Sequence, residues 1–415
     1  MTDSTKVHIV IDFGSNLIKC GYSCETLPRF EIPNVVGKVK KNSLFVLRDY
    51  DNYYCGYDAL YGGTSLDLKY PRLENNGIID TSEEGLKDIR SLLKYIIEDK
   101  MKSSNQTNNV LIVDSLFTTA KERAAMADIL FNDLKIYQIH FEPQSLMTLY
   151  STSKTSGLVV ESGEMTTEIV PIIENYVITD GISAFPIAGR EITKRLEIEY
   201  KNLLHVNNVD NHYWMSQRIK EKYSQIFESA EEFDNFTKSN DFQKQEYSLP
   251  DGNKFEIGKE VYEFPEAIFN PSIINFNCKN LPQTILESIN KCDISCRKEL
   301  YNNIILGGGN TLINGFGKRL KIEIDKNSGK KNGCGLVEIE ERKYSAWTGA
   351  SGLCSLSSFS DNWISKEDYL ENGEKIFEDN YLFNYGYIQG RIKRKKLDKT
   401  REIDDSGMEI LEKIA

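Results

Sequence analysis

Val7-His8-Ile9-Val10-Ile11-Asp12-Phe13-Gly14-Ser15-Asn16-Leu17-Ile18-Lys19-Cys20-Gly21-Tyr22 carries two apolar runs joined by a turn too short to hold a helix. The first run ends at the carboxylate Asp12 and the second resumes directly after Gly14-Ser15-Asn16, so the stretch reads as strand, tight turn and returning strand. The arrangement recurs about 150 positions later, which points to internal duplication of one α/β lobe. There Gly157-Leu158-Val159-Val160 leads into Glu161-Ser162-Gly163-Glu164-Met165-Thr166-Thr167 and returns through Ile169-Val170-Pro171-Ile172. A lone hairpin of this kind is an ordinary surface feature. The repeat gives it meaning.

Outward from the hairpins, the pattern alternates between strands and helices. Ser82–Asp99 has helical periodicity with acidic residues in its first turn, and Lys121–Leu134 reads as a second amphipathic helix after the strand Val110–Val113. In the second half, the strand Ile304-Ile305-Leu306 runs into Gly307-Gly308-Gly309-Asn310-Thr311, and Leu312–Ile324 reads as a helix. Such alternation predicts mostly parallel sheets covered by helices. Asn207–Lys254 is polar and reads as a helical lobe with loops, and from Leu382 onward the pattern gives way to a charged extension.

Composition narrows the classes. With 415 residues the chain is too long for one simple core, and 40% hydrophobic and 27% charged residues are ordinary for a globular protein. No apolar run approaches the about 18 residues that a membrane helix needs. The N-terminal stretch has no basic segment followed by an apolar one, so no signal peptide is expected. A net charge of −11 argues against nucleic acid as a bulk partner. The eight cysteines are scattered without a CxxC pair, and none of the four histidines lies near Cys20/Cys24 or Cys292/Cys296, so free thiols are expected rather than a zinc site.

Three glycine-rich turns end three strands: Asp12-Phe13-Gly14-Ser15, Glu161-Ser162-Gly163-Glu164 and Gly307-Gly308-Gly309. Backbone N–H groups at such turns can approach phosphate oxygens closely because glycine has no Cβ. The chain lacks GxxxxGK[ST], so it is not a P-loop protein. Asp12 and Glu161, one carboxylate per hairpin, suit a hydrated Mg²⁺ held against phosphates, with Lys19 adding positive charge. Two such hairpins would clamp a nucleotide from opposite sides.

The segments Glu341-Arg342-Lys343-Tyr344-Ser345-Ala346-Trp347-Thr348-Gly349-Ala350-Ser351 and Trp363-Ile364-Ser365-Lys366 carry a resemblance to actins and actin-related proteins. So do Leu249-Pro250-Asp251-Gly252, Phe264-Pro265-Glu266-Ala267, Leu68-Lys69-Tyr70-Pro71, Ala188-Gly189-Arg190 and Ile219-Lys220-Glu221-Lys222. The resemblance covers residues from about 7 to 380, with chance agreement across so many separate blocks negligible. It implies an α/β, duplicated, two-lobed actin-like ATPase fold with ribonuclease H-like lobes and a nucleotide cleft between them. The implied divisions are 1–150 as an outer lobe, 151–344 as an inner lobe, 345–381 as a return to the outer lobe, and 382–415 as a charged extension. ATP or ADP with Mg²⁺ (or Ca²⁺) is the implied ligand. By position, Gly14, Ser15, Asn16, Leu17 and Lys19 would take phosphate on one side and Ser162, Gly163, Glu164 and Met165 on the other. Asp12 and Glu161 would lie near the metal's water shell. Gly189, Lys220, Glu221, Gly308, Gly309 and Lys343 would frame ribose and adenine. Gln144 falls where actins keep the residue that orients the attacking water.

The departures from that pattern are equally specific. Actins have Asn at the position of Phe13 and Gly at that of Asn16. In the second hairpin Glu replaces Asp at 161 and 164, Met165 replaces Gly, and Glu168 replaces a cleft His. A side chain at Met165 crowds a phosphate turn, and Glu168 adds negative charge beside it. Tyr150, Leu353 and Leu356 keep an apolar groove for partner helices, but Asn362 stands where actins carry Met. The loop Lys40–Asp49 shares little with actin's polymer-contact loop, so homopolymerisation is not carried over. Residues 391–401 hold seven basic and one acidic side chain, read with the acidic stretch that follows as a self-compensating solvated tail, with a targeting signal, a nucleic-acid contact or a basic membrane patch as the alternatives. The expectation is a structural subunit of a cytoskeletal or chromatin-associated assembly, with slow or no hydrolysis, protein partners in an actin-related assembly with actin itself as one candidate, and nucleic acid, if at all, only through a chromatin complex. It would act in the cytoplasm and cytoskeleton, with the nucleus as a second location. The competing readings are a filament-forming ATPase and, much less favoured, a metabolic kinase or chaperone on the same fold.

Overall fold

The computed structural model describes residues 8–40, 53–103, 109–206, 211–239, 242, 244–248, 252, 254–329 and 333–378. The readings made for residues 41–49, 249–251 and 382–415 lie outside the described residues. Two six-stranded sheets organise the rest. In the first, Ile9–Phe13, Leu17–Tyr22 and Phe30–Pro33 run antiparallel in sequence, as the opening hairpin predicts. On its other side Ile9–Phe13 pairs in parallel with Asn109–Asp114, which pairs in parallel with Gln138–Pro143. In the second, Gly157–Ser162 pairs antiparallel with Thr167–Ile173 and in parallel with Ile304–Gly307, which pairs in parallel with Leu336–Glu338. Each sheet thus has an antiparallel hairpin on one side of its founding strand and two parallel strands on the other. The expected duplication is visible as shared topology.

Every residue of Ile9–Phe13, Asn109–Asp114 and Gly157–Ser162 is buried. That is the signature of strands covered on both faces, and it explains why they read as continuous apolar runs instead of alternating ones. Val10, Leu111 and Val113 of the first sheet share one core with Val159, Val170 and Ile305 of the second. Two helices, Gln144–Ser151 and Ser345–Cys354, supply the same core through Leu146, Met147, Leu149, Trp347 and Ala350. The lobes therefore meet through shared apolar packing. Ile364–Ser365 then pairs with Gln138–Pro143 at the edge of the first sheet.

Local signals set most boundaries. Ser82 caps the helix Glu83–Lys94 by accepting from the Gly85 N–H, and Thr119 with Glu122 forms a capping box for Ala120–Asp128. The helix expected over Leu312–Ile324 is displaced to Phe316–Ser328. Gly309–Leu312 forms a short 3-10 turn instead, and Gly315 takes φ 86°, a left-handed conformation from which the helix starts. The polar region 207–254 contains the expected helices, His212–Tyr223 and Ala230–Lys238, and also a strand pair, Gln245–Ser248 with Lys254–Ile257. Its inward residues Tyr247, Phe255 and Ile257 alternate with exposed polar ones, so average polarity masked a half-buried ribbon. A three-stranded sheet, Tyr53–Cys55, Val36–Val39 and Leu66–Lys69, flanks the first lobe. Among the described residues no helix is long and apolar enough to cross a membrane.

Trp347 is fully buried and its Nε1 donates to the Val10 carbonyl at 3.0 Å, which fixes the returning helix to the founding strand of the first sheet. Trp347→Phe should lower unfolding stability by about 1 kcal/mol, the worth of the lost hydrogen bond. Trp347→Ala should cost about 3–5 kcal/mol through the cavity it leaves. Urea denaturation checks both. Equal losses in the two variants would contradict this role.

Candidate functional site

The opening hairpin places Asp12 directly opposite Lys19 in register. Lys19 Nζ donates to Asp12 Oδ2 at 2.8 Å, and Gln144 Nε2 donates to Asp12 Oδ1 at 2.7 Å. Asp12 is buried, so both oxygens needed partners, and they find one from its own hairpin and one from the first residue of the helix at the lobe joint.

The second hairpin places Glu161 opposite Glu168 in register. Thr148 Oγ1 donates to Glu161 Oε2 at 2.7 Å, and Ser115 Oγ, from the first lobe, donates to Glu168 Oε1 at 2.5 Å. Burial pushes the Glu161 carboxyl up to about 8, with the nearby negative charges of Asp12 and Glu168 adding to the effect and the Thr148 hydrogen bond and Lys19 opposing it. Glu164, at the bend, accepts from the Tyr213 hydroxyl and from Lys220 Nζ at 3.4 Å. Lys220 also donates to the Gly189 carbonyl at 3.0 Å.

The third turn completes the enclosure. Gly308 takes φ 83°, and a Cβ there would stand 2.2 Å from the Ser162 carbonyl oxygen, so the Gly-rich strand end fits against the second hairpin only as glycine. Asn310 Nδ2 donates to Ser162 Oγ at 3.0 Å, Ser162 Oγ meets Thr167 Oγ1 at 2.7 Å, and Thr167 Oγ1 donates to the Ile187 carbonyl at 3.1 Å. Lys343, beyond the turn, bridges to Glu31 of the first lobe at 2.6 Å.

These elements surround a cavity of about 370 Å³, within the range of small-molecule sites. Of the residues expected from the sequence, Gly14, Ser15, Asn16, Leu17 and Lys19 line it from the first lobe. Glu161, Gly163, Glu164, Met165 and Glu168 line it from the second hairpin, with Gln144, Lys220, Glu221, Gly308, Gly309 and Lys343 around them. Asp12, Ser162 and Gly189 are not in the lining: Asp12 stands behind Lys19 and Gln144, Ser162 turns its hydroxyl into the network with Thr167 and Asn310, and Gly189 backs the Glu164–Lys220 pair. The lining also includes Arg72, Asn76, Ser115 and Asn310, which sequence reasoning missed, and Tyr213 acts on it through Glu164. Tyr213 carried a signal, because it lies two helical turns before Lys220 on one face. Arg72 follows directly on the block Leu68–Pro71.

The cavity's chemistry is balanced. Of its five basic side chains, Lys19, Lys220 and Lys343 are committed to the carboxylates Asp12, Glu164 and Glu31, Arg72 donates to the Phe13 and Gly77 carbonyls, and Lys222 lies over the Tyr223 ring. A phosphate group entering this site would gain little from them without an added cation. Among the described residues no three His, Cys, Asp or Glu side chains converge as direct metal ligands. Asp12 and Glu161, one carboxylate from each hairpin, still fit a cation held through its water shell, and burial raises the Glu161 carboxyl, so a positive charge beside it would favour its ionised form.

A family model described as Actin matches residues 3–381. The chain is also 30% identical over 383 residues to a protein of Neurospora crassa described as an actin-like protein, covering 91% of this chain and 99% of that one.

The raised Glu161 carboxyl gives a pH prediction with a definite sign. The folded state holds the proton where the unfolded chain has released it, so this contribution to stability is full below the ordinary carboxylate range and is lost as pH rises toward about 8. In metal-free protein the melting temperature should fall over that window, and Glu161→Gln should flatten the fall. Thermal scans across pH check this, and identical slopes for the two proteins would contradict it.

Proposed function

The chain belongs to the actin family, and from that premise we propose that it binds ATP or ADP with Mg²⁺ (or Ca²⁺) in the cavity between its lobes. In this reading it serves as a structural subunit of a cytoskeletal or chromatin-associated assembly in the cytoplasm or nucleus, with protein partners, and hydrolyses nucleotide slowly or not at all. The observation that carries the reading is the convergence of three glycine turns, from both lobes, on one cavity lined by Lys19, Gln144, Glu161 and Lys343.

Bound there, the nucleotide would supply phosphate charge and the cation would neutralise it. The chain's own residues do the rest. The turn Gly14-Ser15-Asn16 and the bend Gly163-Glu164-Met165 offer backbone N–H groups from opposite sides, while Asp12 and Glu161 hold the cation's waters. Gly308, Gly309, Lys220, Glu221 and Lys343 frame the nucleoside. The lobes 1–150 and 151–344 then close on a shared ligand, which stabilises the closed form by mass action.

Slow turnover is supported by what surrounds the position of an attacking water. Gln144 has its amide nitrogen committed to Asp12, and Glu168 presents a carboxylate bound to Ser115 at the position where the resemblance to actins implies a histidine. A carboxylate there repels developing phosphate charge instead of stabilising it, and positioning catalysis tolerates such a change poorly.

Nucleotide content, phosphate release and sedimentation, measured on one purified sample, test the reading. The expected outcome is bound adenine nucleotide in a non-pelleting protein with slow phosphate release, raised about tenfold or more in Glu168→His. Rapid phosphate release accompanied by a pellet would show a filament-forming ATPase instead, and the absence of nucleotide under all cation conditions would overturn the proposal.

A further inference from the structure

Aromatic rings cross from one lobe to the other beside the cavity. Tyr70, two positions before the lining residue Arg72, stands 6.2 Å from the Tyr213 ring, and Asn211 donates to the Tyr70 hydroxyl. Tyr57 meets Trp214 edge-on at 6.0 Å and stacks on Tyr61 at 5.9 Å. Tyr57 and Tyr70 belong to the flank of the first lobe, whereas Asn211, Tyr213 and Trp214 open the helix His212–Tyr223 of the second. The contacts thus bridge the two lobes beside the cavity. Edge-on and tilted ring pairs at these separations are individually weak but orientation-dependent, so they favour one closed geometry.

Tyr213 does two things at once. Its ring joins the bridge to Tyr70, and its hydroxyl donates to Glu164 at the bend of the second hairpin. Glu164 in turn pairs with Lys220, two turns along the same helix as Tyr213. The bend backbone is itself tied to the next element, since the Gly189 N–H donates to the Gly163 carbonyl at 3.0 Å and the Arg190 N–H to the Glu164 carbonyl at 2.7 Å. Arg190 Nη1 then donates to Asn76 Oδ1 across the lobes at 2.8 Å. An unbroken run of contacts leads from the bridge to the bend.

We propose that Tyr213 is a positioning residue that ties the second hairpin to an aromatic latch between the lobes, so that latch opening and loosening of the bound nucleotide are one event. The proposal rests on the nucleotide reading above for its ligand, but the latch exists with or without one. A charge-assisted hydrogen bond holds the bend only while the Tyr213 ring stays docked on Tyr70. Lobe opening pulls Tyr70 away from the Tyr213 ring, which lets Tyr213 turn off Glu164 and loosens the bend, and a ligand that orders the bend favours the docked ring by the same linkage.

Two readouts test this. The first is release of etheno-ADP, loaded with Mg²⁺, from the full chain. Tyr213→Phe keeps the ring and removes the hydroxyl, and it should speed release about tenfold, whereas Tyr301→Phe, whose hydroxyl bonds Asp325 and Ser328 elsewhere in the second lobe, should leave the rate unchanged. The second is acrylamide quenching of Trp214, which is half-buried while Trp347 and Trp363 are buried. Tyr70→Ala, or Tyr70→Phe if the first variant fails to fold, should raise quenching in nucleotide-free protein, and a Trp214→Phe background identifies the signal. Wild-type release from Tyr213→Phe overturns the proposal. If the wild type binds no etheno-ADP, the nucleotide reading fails, and quenching alone then decides the latch: unchanged quenching in the Tyr70 variants overturns it.

Discussion

A buried carboxylate at the joint of two lobes is the constraint on which the rest depends. Asp12 is buried, so each of its oxygens requires a donor, and the donors come from different parts of the chain. Lys19 arrives by the register of the opening hairpin, and Gln144 arrives because the strand Gln138–Pro143 ends in a helix at that point. Satisfying Asp12 therefore aligns the first hairpin with the helix that carries the interlobe core. Displacing any of the three disturbs the others.

The same arrangement separates packing from chemistry. Apolar contacts from Val10, Val159, Ile305, Leu146 and Trp347 hold the sheets together at one side of the joint. The polar ends of the founding strands face the cavity, where glycine turns leave room for a ligand. Three of the cavity's cations, Lys19, Lys220 and Lys343, are paired with carboxylates, and Glu161 resists ionisation. In the proposed reading a divalent cation would supply the charge that these three lysines have spent on Asp12, Glu164 and Glu31.

The duplicated hairpins were legible because a tight turn between apolar runs has few structural alternatives, and a repeat of it has fewer. Topology confirms that reading in the matching strand order of the two sheets. The cavity wall was legible where it consists of backbone turns, as at Gly14, Gly163 and Gly308. It was not legible where a side chain arrives from a remote segment: Ser115 on Glu168, Asn310 on Ser162 and Tyr213 on Glu164 are pairings that no local pattern encodes. The misplaced start of the helix after Gly309 has a local cause, since apolar periodicity over Leu312 and Ile313 outweighed the left-handed Gly315 in the reading. The strand pair at Gln245–Ser248 was hidden by its exposed polar face.

Calorimetric titration of nucleotide-free protein with Mg·ATP, repeated in chelator and with Asp12→Ala, shows whether the cavity takes nucleotide through a cation that depends on Asp12. The wild type should bind one equivalent, with affinity at least about tenfold weaker in the variant and in chelator, equivalent to about 1.4 kcal/mol or more. Binding that is indifferent to both the cation and Asp12, or no binding by the wild type, would contradict it.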